Sequence, residues 1–157
     1  MTTRRDLCVA ALAVAVTWCG MRAATGDGAA PKPKLRSTTY SWDDITVQKT
    51  AVGEKRSVFL EPTATMDQLS CHITTVAAGK EPHAPHQHIE EELIIVKEGT
   101  LDVMQNGVRT RVGPGAIIFE ASNELHGMRN VGTTDATYYV VKFWPPGMLA
   151  EAAKKSK

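Results

Sequence analysis

Excess charge of either sign is missing from this chain. Its 18 Lys and Arg stand against 17 Asp and Glu, a formal net charge of +1. That is too little for an electrostatic nucleic-acid binder. Cysteine is scarce. Of three, Cys8 and Cys19 lie in the first 26 residues, so Cys71 alone remains beyond them and an internal disulfide is excluded there. Cys71 sits in an apolar, strand-like run and reads as a small core residue. No apolar run reaches the ~20 residues that a helical membrane span requires. No internal repeat is visible, and helical periodicity is weak.

What is present fits one globular domain. The chain has 157 residues, 43% of them hydrophobic and 22% charged, enough to bury one core. Its N-terminus reads as a separate unit. Arg4 and Arg5 precede the apolar stretch Leu7 to Trp18, and Ala24-Thr25-Gly26 offers small residues for cleavage. This three-part layout predicts an export signal over 1–26 and a periplasmic or secreted protein. Thr3-Arg4-Arg5-Asp6-Leu7 also looks like a twin-arginine signal. A lipid anchor at Cys19 is disfavoured, because Trp18 stands where a small residue is wanted. Without Arg4, Arg5, Arg22 and Asp6, the 18 basic and 17 acidic residues become 15 and 16, a net charge of −1.

Residues 27–39 are polar and rich in Pro and Lys, which predicts a flexible segment. The domain proper is expected over 40–147, with a C-terminal tail over 148–157 whose EAAKKSK is a frayed helical turn. Short β-type runs fill the domain: Arg56–Glu61, Gln68–Ala77, Glu92–Lys97, Thr100–Gln105, Val108–Val112, Ala116–Glu120, Gly127–Val131 and Thr137–Trp144. Asn106-Gly107 is a two-residue hairpin signal, since both residues accept positive φ. Many short strands at regular spacing predict an all-β sandwich or barrel.

Histidine is the informative residue. Four of the five lie in two places: His83, His86 and His88 in one segment, and His126 alone, 34 residues beyond Glu92. On a strand, His86 and His88 share a face. Glu90 and Glu92 have the same parity, so parity does not choose between them. Glu92 opens the Leu-Ile-Ile-Val run and is favoured, with residues 89–91 as the bend. Three imidazoles and a carboxylate make a first shell for a divalent transition metal. Without a thiolate they suit Mn(II), Fe(II), Ni(II), Cu(II) or Zn(II), and affinity alone does not choose among these.

The segment resembles the first motif of the cupin superfamily. His86-Gln87-His88, three residues, Glu92, six residues and Gly99 follow that pattern, and the six-residue gap selects Glu92. Gly79 stands one residue further from His86 than is usual. Gly115, His126 and Asn130 fall at the offsets of the second cupin motif, while Ala121 and Asn123 replace its Pro and Gly. Asn tolerates the left-handed turn that the motif's glycine would serve. The motifs and their hairpin cover about 79–130, and flanking strands extend the likeness to about 56–144.

The resemblance implies a single jelly-roll β-barrel, often dimeric, with the metal inside, held by His86, His88, Glu92 and His126. It implies a small molecule as ligand or substrate, no nucleic acid and no stable membrane insertion. A six-coordinate ion with four protein ligands keeps two positions open for water, substrate or dioxygen. Dioxygenase-like or lyase/isomerase-like chemistry is the first expectation. The rival is a non-catalytic module for a sugar or small acid with a structural or docking ion, of which a structural one would be closed off from solvent. Glu90 and Glu91 read as a solvated bend, His83 as a solvated loop residue and His72 as structural. Met128 shares parity with His126 and is expected in the pocket or the core. Trp42, Tyr138, Tyr139, Phe143 and Trp144 read as core or interface aromatics.

Overall fold

A computed structural model describes residues 34–155. The expected export signal and residues 27–33 of the polar segment lie outside the described residues, as do the last two residues of the tail. Within the described part, Leu35 donates its backbone N–H to the Pro62 carbonyl at 2.7 Å.

Among the described residues, nine strands form two antiparallel sheets. They are β1 Val47–Thr50, β2 Gly53–Glu61, β3 Gln68–Val76, β4 Glu91–Glu98, β5 Leu101–Gln105, β6 Val108–Val112, β7 Ile117–Glu120, β8 His126–Asn130 and β9 Ala136–Trp144. One sheet has the order β1-β2-β3-β9-β4-β7, the other β6-β5-β8. A 3-10 turn at Trp42–Asp44 precedes them, and helix α1, Met148–Lys155, follows. The tail is thus a two-turn helix rather than a frayed turn.

The strands form where Val, Ile and Thr recur, because branched side chains suit a pleated, half-buried surface. Asn106 and Gly107 turn β5 into β6 with φ of 48° and 86°, as a two-residue hairpin requires. The core lies between the sheets. Ile94, Val96, Tyr138 and Val140 from the large sheet meet Leu101, Val103 and Met128 from the small one. Leu101 and Ile94 are 0% and 1% exposed, and burying each stabilises the fold by roughly 1.5–3 kcal/mol. The architecture is the expected all-β one, with the core between its two sheets.

Strand β1 was not expected. All four of its residues are exposed, so the sequence there shows no alternation. Among the described residues it is an edge strand, paired with β2. Trp42 is not a core residue. Its ring is capped by the Arg56 guanidinium at 4.4 Å and the Lys97 ammonium at 3.8 Å.

Candidate metal centre

Two separate segments build the site. His86 and His88 lie in the loop before β4, not in a regular strand as expected. The loop is nonetheless fixed as one. His86 N–H donates to the His126 carbonyl at 3.0 Å, and His126 N–H returns a bond to His86 at 2.9 Å. Asn123 adopts φ of 59° in the turn before β8, the left-handed conformation expected there, and its N–H is held by the His88 carbonyl at 2.7 Å.

The three imidazoles converge. One ligand atom each from His86, His88 and His126 lies within 4.8 Å of the others. Ring centroids are 5.2 Å apart for His86–His88 and 4.8 Å for each of the other pairs. His126 is 2% exposed. Its Nδ1–H donates to the Glu124 carbonyl at 2.8 Å, because a carbonyl only accepts. In the neutral ring its Nε2 is therefore a lone-pair atom, buried and without a hydrogen-bond partner. His86 Nδ1 is likewise buried and without a partner.

His88 repeats the arrangement. Its Nδ1–H donates to the Glu90 carbonyl at 2.8 Å, which leaves a lone pair on Nε2 in the neutral ring. That nitrogen is 2.9 Å from Glu92 Oε1. Two bare acceptors at this distance repel, so the contact calls for a proton on Nε2 or a cation in its place. The Lys142 ammonium stands beside both atoms, at 2.5 Å from Glu92 Oε1 and 3.3 Å from His88 Nε2. Glu92 is 6% exposed. Burial pushes its carboxyl up, but the hydrogen bond and charge of the Lys142 ammonium outweigh this and hold it below the usual carboxylate range. Burial, then the neighbouring imidazoles His83, His126 and His88, depress His86 and favour its neutral, metal-ligating form.

These residues fit a divalent ion. Two buried imidazole nitrogens have no hydrogen-bond partner, a third faces a carboxylate oxygen, and two rings are fixed in tautomer by backbone carbonyls, as metal-ligating histidines usually are. All the donors are nitrogen or oxygen.

The centre lies on the wall of a cavity of about 680 Å³. His86, Glu92 and His126 line it, together with residues that sequence reading assigns to other roles. His83 is exposed and packs edge-on to His86 at 4.3 Å, so it is both solvated and at the cavity. His72 lines the wall, its pKa lowered to about 4 by burial and then by Lys55 and Lys142. Met128 is both buried and cavity-lining. Glu90 is not a solvated bend residue. Its side chain is 14% exposed and accepts from Lys142 at 3.1 Å, because the bend turns it back toward β9. Burial raises the Cys71 thiol, so a thiolate role is disfavoured.

Two charged residues escaped sequence reasoning. Lys142 pairs with Glu92 across β4 and β9 and shares strand parity with Tyr138, Val140 and Trp144, all buried. Glu120 pairs with Glu92 across β4 and β7 and is 1% exposed. Its Oε2 accepts from Gln105 at 2.9 Å, and its Oε1 has no partner. Burial raises its pKa. In both cases the signal was parity: each occupies an inward position of an otherwise apolar face.

Fold and site together define a cupin-type sandwich with a three-histidine centre. Residues 72–142 match the family model described as a cupin domain. Solved structures agree. An RmlC-like cupin from Shewanella frigidimarina NCIMB 400 is 15% identical, with 71% of this chain and 94% of that one covered and a TM-score of 0.58. A predicted oxalate decarboxylase from Thermotoga maritima is 19% identical, with 68% and 99% covered and a TM-score of 0.55. The polyketide cyclase RemF from Streptomyces resistomycificus is 21% identical, with 71% and 82% covered and a TM-score of 0.58. At such identities the likeness is one of fold. No curated protein shows significant sequence similarity to the chain. Domain match and structural neighbours together support the cupin superfamily.

Proposed function

We propose that this protein is an exported metal-dependent cupin that acts on a small molecule, with a divalent ion held by His86, His88, Glu92 and His126. The observation that carries this reading is the pair of buried imidazole nitrogens without partners, His86 Nδ1 and His126 Nε2, at the wall of the cavity. Burying such groups unpaired costs about 1–3 kcal/mol each, a cost that ligation would remove.

Once bound, the ion supplies Lewis acidity and open coordination positions, which suits lyase/isomerase-like or dioxygenase-like chemistry. The chain's own residues do the rest. Glu124 and Glu90 carbonyls orient the His126 and His88 rings. Lys142 keeps Glu92 ionised. Trp144, Val140 and Ile94 give the cavity apolar walls. A binding module with a purely structural ion would have its ligands away from any cavity, whereas His86, Glu92 and His126 line this one, as an ion that meets a ligand or substrate requires.

Two subsidiary readings complete the proposal. Cleavage of the N-terminal signal should give a mature chain starting between about residues 23 and 31, read by mass spectrometry, and an intact Met1 in the cell envelope fraction would count against it. A homodimer is consistent with exposed Ile117 and Phe119 on β7, at 70% and 52%, and sedimentation at micromolar concentration tests it.

The central test is metal content per chain, with folding followed by circular dichroism. His126→Ala and Glu92→Gln should lose most of the ion while remaining β-rich. His83→Ala should retain it. Full occupancy in folded His126→Ala would overturn the reading.

A further inference from the structure

We propose that the cavity takes an organic anion with an apolar body, and that Lys142 and Lys55 are its binding residues beside the metal centre. This inference rests on the metal reading above and names the substrate class of that site.

Charge around the cavity points to an anion. The acidic and basic residues on its wall are Glu90, Glu92, Lys55 and Lys142, which sum to zero. His72 adds no charge at neutral pH, since its pKa is lowered to about 4 by burial and then by the same two lysines. A divalent ion raises the total to +2, facing a cavity with low-dielectric walls. A neutral sugar would leave that excess unmatched.

Donor counting points to Lys142 in particular. An ammonium has three N–H donors. Glu92 Oε1 at 2.5 Å and Glu90 Oε1 at 3.1 Å accept two. The third faces the His88 Nε2 lone pair at 3.3 Å. That lone pair is the one His88 would give to the ion. Were the ion bound there, Lys142 would have a donor free for a ligand at the metal centre. One carboxylate can thus be shared between ion and ammonium, as neither alone would hold it. Phe59, Leu60 and Trp144 on the same wall suit an apolar body rather than a polyol.

Benzoate is the probe, and benzamide is its uncharged isostere. Each is titrated by calorimetry into the full chain loaded with Zn(II), and zinc content is measured in every sample. Benzoate should bind at least about 10-fold tighter than benzamide, a difference of one charge-assisted contact. Lys142→Met, which lacks the charge beside Glu92, is titrated at a zinc concentration that fills its site, and should then lose about 10-fold in benzoate affinity, with benzamide unchanged. Lys142→Arg should recover part of the loss. Lys55→Met, on β2, should show a smaller loss in the same direction. Equal affinities for benzoate and benzamide in zinc-loaded protein would overturn the anion proposal and leave the metal reading standing. So would unchanged benzoate binding in zinc-loaded Lys142→Met. Failure of the wild-type chain to bind zinc would overturn the metal reading itself and the anion proposal with it.

Discussion

His86 and His126 exchange both backbone hydrogen bonds, at 3.0 and 2.9 Å, although 39 residues separate them. The bridge places their imidazoles side by side without a regular strand under His86. It also brings Pro85 against β8. A Cβ built on Gly127 would lie 3.1 Å from Pro85 Cα, so any larger residue there would press on the loop, and glycine serves the close approach rather than a special φ.

That contact yields a prediction about a residue that is no ligand. Gly127→Val should push the loop carrying His86 away from β8. Zinc affinity should fall by about 10-fold, the scale of a disturbed ligand support, while the β-rich circular dichroism spectrum persists. Competition with a chromophoric chelator measures it.

Acid should destabilise the metal-free protein through His72. Unfolded, this imidazole takes its proton near 6.5. Folded, it does so only near 4, because burial and then Lys55 oppose the charge. Between those values the unfolded chain binds more protons, so stability falls as pH drops through the window. The loss is at most about 3 kcal/mol. His86 is depressed in the same sense. Urea titrations from pH 7 to 4.5 should therefore show a shallower decline in His72→Gln, though not a flat one.

Asn130 is a structural anchor. It is 0% exposed. Its Nδ2 donates to the Val76 and Thr134 carbonyls, each at 2.8 Å, and its Oδ1 accepts from Gly132 N–H at 2.9 Å. Asn130→Ala strands all three partners and should cost about 3 kcal/mol, measured as a lower urea midpoint with metal removed by chelator.

Glu120→Gln should do the reverse. The folded Glu120 carboxyl has a raised pKa, chiefly from burial. Ionising it in the fold is therefore costly, and the cost is present above the folded pKa and gone below the unfolded value. The variant should be more stable than wild type by about 1 kcal/mol at pH 8, with the gain vanishing below pH 4. Chelator-treated protein at both pH values checks it.

Much of this was legible in the residues, and the exceptions have physical reasons. Val108–Val112 matches its strand at both ends, because Asn106-Gly107 and Gly113-Pro114 punctuate it. The bend of 89–91 was harder. Parity holds along a strand, but it does not pass through a turn, so Glu90's inward orientation was invisible. β1 lacked alternation because neither of its faces is buried. Lys142 was readable by parity, yet a lysine in an apolar strand reads as solvent-facing until its carboxylate partners are known. His126 was reachable through the motif spacing alone. Nothing local ties it to His86.

Strand β9 lies between β3 and β4, pairing with both, and its Thr137 hydroxyl meets that of Thr75, 62 residues earlier. The large sheet is thus interrupted until its last strand arrives. Such non-local closure is slow, on the order of milliseconds to seconds. During synthesis, β2–β3 and β4–β7 emerge first as two unjoined pieces, each with an open edge. The strand that joins them also carries Lys142. The ligand-bearing loop and β8 can meet earlier, but the cavity wall is completed only when β9 docks. Competence to bind a small molecule should therefore appear in the same kinetic step as global folding, with no earlier partial form.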